Sequence, residues 1–184
     1  MVADDDTSTA DDEAEGDATT AETDTPPTRY AGIVDPTGTD VVLHTDVATY
    51  PDLAAAAKAD GFDQLVDLTA VDYLTYAAPR RLPAGVVAER FEVVTQLRNP
   101  DSGERIRIRV QVPADAPAVA TLFDLWPGSE NLEREVYDMF GIEFIDHPDM
   151  SRILMPDDWV GHPLRKDYAV GAIPVQFKAA SNIR

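Results

Sequence analysis

The chain has no cysteine among its 184 residues, which excludes disulfides, thiolate zinc sites and cysteine-held iron–sulfur clusters within it. Redox chemistry near it would belong to other chains. No run approaches the roughly 20 apolar residues of a membrane helix, and the N-terminus is acidic where a secretory leader would be basic. The expectation is a chain that stays in the cytoplasm and reaches a membrane only by docking on something embedded there. Bases are scarce, 15 Lys and Arg against 34 Asp and Glu for a formal charge of -19, so its field repels nucleic acid and anionic lipid. G-x-S-x-G, the P-loop lysine motif and G-x-G-x-x-G are all missing. Independent catalysis therefore has no support in the sequence.

What is present divides into three parts. Residues 1–28 carry ten acids and no base, with hardly any large apolar side chain, and cannot offset their own ordering entropy. They read as a disordered acidic tail. Residues 29–145 alternate strand-like and helix-like patterns and have enough apolar content for one core. YAGIV and VVLH flank the turn-like DPTGTD as a short hairpin. TYPDLAAAAKADG reads as a helix over about 50–60, with Thr49 three residues before Asp52 in a capping-box spacing, Pro51 in the first turn and Gly61 as the stop.

FDQLVDLTAVDYLTY is rich in β-branched and aromatic residues and predicts a strand, at least in its second half. RFEVVTQLR and ERIRIRVQV alternate around NPDSG as a second hairpin. Phe91, Val93, Thr95 and Leu97 share one face with Ile106, Ile108, Val110 and Val112, while Arg105, Arg107 and Arg109 occupy the other. For that arginine stripe a solvated strand face is favoured over a phosphate site, with a docked acidic partner as a third reading. DAPAVATLFDLW predicts a helix covering the sheet with Val119, Leu122 and Phe123. The fold class expected is α/β in the α+β sense, one domain with a mixed or antiparallel sheet covered by helices.

Beyond residue 146 the periodicity fails. Residues 146–184 hold four prolines, which interrupt helix and sheet alike, yet keep Trp159, Tyr168 and Phe177. An ordered but irregular segment of this kind is expected to lie on a partner.

EREVYDMFGIEF, residues 133–144, concentrates charge. Leu132, Val136, Met139 and Phe140 recur at helical spacing, and Gly141 can take the left-handed conformation that ends a helix. Glu130 and Glu133 fall in the first turn, where the helix dipole favours anions, and Glu130 stands four residues before Arg134. Glu133 and Glu135 point about 200° apart and cannot address one substrate atom. A metal site could draw on His147, His162, Asp157 and Asp158, but their spacing matches neither HExxH nor an EF-hand loop. His147 and His162 each precede a proline and are expected to make fixed hydrogen bonds in an ordered loop.

LVDLTAVDY, the FEVV strand, DLWPG, EREVYDMFGIEF, HPD, RIL, MPDDW and GHPLRKDY together resemble the 30 kDa subunit family of respiratory complex I, known in bacteria as the C subunit of NADH-quinone oxidoreductase. The resemblance spans about residues 60–168. The family often has a tryptophan near Glu130, Asn131 and Leu132, and often an arginine where Ser151 stands. The resemblance implies an α/β domain with a C-terminal extension wrapped over neighbouring subunits, in particular the quinone-site 49 kDa-type subunit and the iron–sulfur subunits. It implies no cofactor in this chain; the iron–sulfur clusters, FMN and quinone belong to the parent complex.

By the same resemblance no residue is catalytic. Partner contact is expected from Glu133, Arg134, Glu135 and Asp138 on the helix and from His147, Arg152, Asp157, Asp158, Trp159, His162, Arg165, Lys166 and Asp167 beyond it. The expected function is that of an accessory subunit of proton-translocating NADH:quinone oxidoreductase, peripheral on the cytoplasmic side of the cell membrane. The equivalent subunit of a membrane-bound hydrogenase or other-donor dehydrogenase is an alternative. A metal-dependent hydrolase using His147 and His162 is a rival of another class.

Overall fold

A computed structural model describes residues 26–37 and 41–169. The acidic tail up to residue 25 and the terminal stretch from 170 lie outside the described residues.

A six-stranded mixed sheet forms the centre. Its strands are β1 (Thr28–Arg29), β2 (Gly32–Val34), β3 (Val41–Asp46), β4 (Gln64–Asp72), β5 (Phe91–Arg98) and β6 (Arg105–Val112), in the order β1-β2-β3-β6-β5-β4. All neighbours are antiparallel except β3 and β6. The two expected hairpins are therefore both present. In the second, Thr95 lies opposite Ile108 and Leu97 opposite Ile106, so the alternation buries all eight of the expected inward residues. The strand in FDQLVDLTAVDYLTY starts earlier than its second half and stops at Asp72.

Helix α1 (Tyr50–Ala59) joins β3 to β4 and lays Tyr50, Leu53, Ala54 and Ala57 on the apolar face. Tyr50 reaches through the core so that its hydroxyl meets Thr95 Oγ1 at 2.9 Å. Its start differs from the expected capping box. Thr49 makes no side-chain cap bond; its amide and its hydroxyl both donate to Asp46 Oδ1. The acceptor that organises the turn is thus upstream of the helix.

The expected helix over DAPAVATLFDLW is corrected. Ala118–Ala120 form a strand, β7, parallel to β8 (Glu143–Ile145), with Val119 opposite Phe144. Pro117 disfavours helical backbone at Ala116, and Leu122 N donates to the Glu133 carboxylate at 2.7 Å in place of a helical carbonyl. Val119 and Leu122 are still buried, but from a strand and a turn. Trp126 closes this stretch and donates from Nε1 to Phe62 O at 3.0 Å.

Helix α2 (Glu130–Phe140) follows a single 3-10 turn and ends at Gly141, whose φ of 69° is left-handed. Its buried stripe of Val136, Met139 and Phe140 matches the periodicity. The opposite, polar face of the sheet is partly covered by the 73–90 connection, which sends Arg80 onto Glu92 of β5. From 146 to 169 there is neither helix nor strand, as the prolines require.

Candidate interaction site: an internally anchored C-terminal clasp

Asp138, on α2, is fully buried. Its Oδ2 accepts three consecutive backbone amides, from Ile153 at 3.2 Å, Leu154 at 2.8 Å and Met155 at 2.8 Å, and its Oδ1 accepts Arg152 Nη1 at 2.5 Å. Successive amides aimed at one oxygen form an anion-binding nest. Burial pushes the Asp138 carboxyl up, but these donors outweigh it and hold the group below the usual carboxylate range. Hydrogen bonds to a charged group contribute about 1.5–3 kcal/mol each in net stability. One carboxylate therefore fixes residues 152–155 against the helix.

The same segment caps the helix. α2 has no base in its last turn, and its final carbonyls lack intrahelical partners. His162 Nδ1 donates to Asp138 O at 3.0 Å and Leu164 N donates to Met139 O at 3.0 Å. Arg152 also reaches Gly161 O at 3.1 Å. Arg134 grips from the other side, with Nε to Ser151 O at 3.1 Å and Nη2 to Ser151 Oγ at 2.8 Å. His147 donates from Nε2 to Glu130 O at 3.1 Å while its Nδ1 accepts Asp149 N at 3.0 Å. Both histidines thus make the loop hydrogen bonds their position before proline suggested.

A second anchor lies at the end of β4. Asp72, buried at 4 % exposure, accepts Lys166 N at 2.8 Å and a two-pronged contact from Arg90. Arg90 also pairs with Asp167 at 2.9 Å, and the Arg165 guanidinium stands over the Phe91 ring at 5.1 Å. Burial raises the Asp72 carboxyl, and Arg90 with the Lys166 and Leu74 amides overcomes it, so it also lies low. Sequence reasoning missed Asp72. Its signal was register: Leu68, Ala70 and Asp72 share one side of β4, and all three are buried.

Glu133 and Glu135 do diverge, one buried and one exposed. Glu133 accepts Thr121 Oγ1 at 2.5 Å and Leu122 N at 2.7 Å. Burial raises its carboxyl despite those bonds. It also lay in register with the apolar stripe, three residues before Val136.

On the polar face the arginine stripe is not uniformly solvated. Arg105 is exposed, but Arg109 is partly buried and donates from Nε at 2.6 Å to Glu92, which has no exposure. Arg80 from the 73–90 connection also pairs with Glu92, and Gln111 donates to it at 2.7 Å. Nothing in the local alternation marked Glu92 as buried, because the cover comes from a connection with no regular pattern.

The structure divides the thirteen residues expected at a partner interface by orientation. Glu133, Arg134, Asp138, His147, Arg152 and His162 direct their polar atoms to other parts of this chain. Glu135, Asp157, Asp158, Lys166 and Asp167 are exposed, and Trp159 and Arg165 are half-buried. Among the described residues no three His, Asp or Glu side chains gather to hold a metal. No helix among them is long and apolar enough to cross a membrane.

This architecture defines an α+β domain whose irregular terminal segment is anchored at two buried carboxylates. Residues 43–173 match the family described as "Respiratory-chain NADH dehydrogenase, 30 Kd subunit", and the chain belongs to that family. It is 47% identical over 126 residues to NADH-quinone oxidoreductase subunit 5 of Thermus thermophilus, covering 66% of this chain and 58% of that one. It is 38% identical over 144 residues to the C subunit of NADH-quinone oxidoreductase from Mycolicibacterium paratuberculosis, covering 77% of this chain and 57% of that one. The chain thus spans somewhat more than half the length of these relatives.

Among solved structures, a trypsin-resistant fragment (1-134) of Nqo5 is similar with a TM-score of 0.55 at 39% identity, covering 62% of this chain and 86% of that one. A chain of the archaeal membrane-bound sulfane sulfur reductase shares the fold, with a TM-score of 0.63 at 21% identity over 83% of this chain and 90% of that one.

Proposed function

We propose that this chain is a non-catalytic accessory subunit of the peripheral arm of a proton-translocating NADH:quinone oxidoreductase, on the cytoplasmic side of the membrane. In this reading it holds neighbouring subunits in register, the quinone-site 49 kDa-type subunit and the iron–sulfur subunits above all. Electron transfer from NADH through FMN and iron–sulfur clusters to quinone belongs to those subunits, and this chain carries no cofactor. It reaches the membrane only through the complex.

The observation that carries the reading is the two-sidedness of the clasp. Its inner side is bound to Asp138 and Asp72, whereas its outer side leaves Leu154, Val160 and Leu164 at 58%, 85% and 48% exposure. Large apolar side chains on an anchored, irregular segment are the composition of an interface core. Glu135, Asp157, Asp158, Lys166 and Asp167 supply the charged rim, which favours correct register over raw affinity. Pre-anchoring lowers the ordering cost that binding would otherwise carry.

The hydrolase reading loses His147, whose Nε2 donates to Glu130 O and whose Nδ1 accepts Asp149 N, and it finds no three His, Asp or Glu side chains together among the described residues. The test is affinity capture of the tagged full chain from its own cells in mild detergent. Co-recovery of iron–sulfur and quinone-site subunits, with NADH oxidation by the captured assembly, is the expected result. Recovery of the chain alone contradicts the reading, and an assembly that accepts a different electron donor corrects it.

A further inference from the structure

We propose that the cleft between the 73–90 connection and strands β2 and β3 is a binding site for a small, uncharged aromatic alcohol held by His44. The cleft has a volume of about 220 Å³. Its walls are largely apolar, with Ile33 and Val47 from around β2 and β3 and Val86 and Val87 from the connection. The connection comes down close over β2, since a β-carbon at Gly85 would lie 3.3 Å from Ile33 Cδ1. The cleft reaches Asp46 and Val47, at the end of β3 remote from residues 38–40. His44 lines it at 1% exposure, yet neither ring nitrogen has a hydrogen-bond partner in the protein. Buried polar groups are nearly always partnered, and leaving one unpaired is costly. Thr45, Thr49 and Gln111, which also line the cleft, are spent on Asp46 O, Asp46 Oδ1 and Glu92. His44 is thus the group through which the cleft recognises a ligand.

The chemistry of the ligand follows from what surrounds the imidazole. Burial first, and then Arg109 opposite it in the β3–β6 register, hold the ring below its ordinary value, so it is neutral at about pH 7. A neutral imidazole donates from one nitrogen and accepts at the other. Asp35 Oδ2 stands 3.9 Å from Nε2, too far for a hydrogen bond but near enough to favour the proton on that nitrogen. Nδ1 is left as an acceptor, and the ligand must bring a donor. Asp46 and Glu89 line the cleft and, among the described residues, no Lys or Arg does, which turns anions away. Arg109 beside His44 opposes a cation at the floor. An apolar cavity of about 150 Å³ holds one benzene molecule, so this cleft takes a single ring with one or two small substituents.

The probe is p-cresol, uncharged at about pH 7 because its hydroxyl ionises near the tyrosine value of about 10. The full chain, labelled with nitrogen-15 at its three histidines, carries its own controls, since His147 and His162 bond backbone carbonyls through the ring. A saturable change at the His44 ring nitrogens is expected, half complete at about 1 mM or below, with His147 and His162 unmoved. Toluene has the same shape without the donor and is expected to bind about fivefold more weakly, the scale of one net hydrogen bond. Benzoate and benzylamine are expected to bind more weakly than p-cresol. In His44→Phe, which keeps a ring at the floor, the backbone amides of Ile33 and Val87 report binding, and p-cresol and toluene are expected to bind alike. Four results overturn the proposal: no saturable change at His44, toluene binding wild type as tightly as p-cresol, either charged analogue doing so, or a preference for p-cresol that survives in His44→Phe. The comparison of ligands on wild type stands whether or not that variant folds.

Discussion

The imidazole of His162 occupies the space where a β-carbon at Gly141 would stand: an added carbon would lie 2.6 Å from both Cδ2 and Nε2 of the ring. Gly141 is also left-handed, with φ at 69°, so the helix stop and the clasp contact depend on the same missing side chain. Gly141→Ala is expected to cost at least the roughly 1–2 kcal/mol of a left-handed L-residue and to push His162 off the Asp138 carbonyl. Urea denaturation measures the first effect. Faster proteolysis within residues 150–168, with the sheet intact, measures the second.

Asp138→Asn keeps the shape of the side chain but removes its charge and turns one acceptor into a donor facing the amides of residues 153–155. The expected loss is about 1–3 kcal/mol of clasp stability. Hydrogen exchange at the Leu154 and Met155 amides should accelerate accordingly. The amides of Ile108 and Val110, in the centre of the sheet, should keep their protection.

Acid should release the clasp before it unfolds the sheet. Asp138 and Asp72 lie below the ordinary carboxylate value in the folded chain, so their stabilisation is fully present above that ordinary value, about 4. It is lost as pH falls through that value toward their folded ones. Glu133 shifts the other way, and its contribution grows as pH falls through its raised value. Glu133 bonds Thr121 and Leu122 and not the clasp amides, so its trend acts on global unfolding, and in Glu133→Gln exchange at Leu154 and Met155 should rise over the same pH range as in wild type. Exchange measured from about pH 7 to about pH 3, which brackets the ordinary carboxylate value, checks this.

How legible these features were follows from what specifies each one. The β5–β6 hairpin and α2 were readable because many residues repeat one period, and the structure buries the side chains that the period selects. The β7 strand was not, because Val119 takes its conformation from Phe144, which is distant in sequence, and from an amide at Leu122 captured by Glu133. The path of the clasp was hidden for a similar reason. Asp138 and Asp72 accept backbone amides, so the donors at Ile153, Leu154, Met155 and Lys166 leave no side-chain signature. What the sequence did offer was an acid in register with core positions, at Asp72 and at Glu133.

Glu92 joins the sheet to the 73–90 connection through Arg80, Arg109 and Gln111. Glu92→Leu would leave the Arg80 and Arg109 charges without their buried partner, and about 3–5 kcal/mol is the expected cost of breaking such a pair from one side. Thermal or urea denaturation measures it. A loss under about 1 kcal/mol, the scale of an exposed pair, would mean that the two arginines find solvent with ease and that the connection is not pinned there.

The central claim is that the clasp is bound inwardly by carboxylates and outwardly by partners. Val160→Asp and Leu154→Asp change only the outer side. Affinity capture of these variants beside wild type, with hydrogen exchange at Leu154 and Met155 as the control for an intact clasp, separates the two sides. The account predicts at least a tenfold loss of co-recovered subunits with clasp protection unchanged. Full recovery of partners by both variants would contradict it.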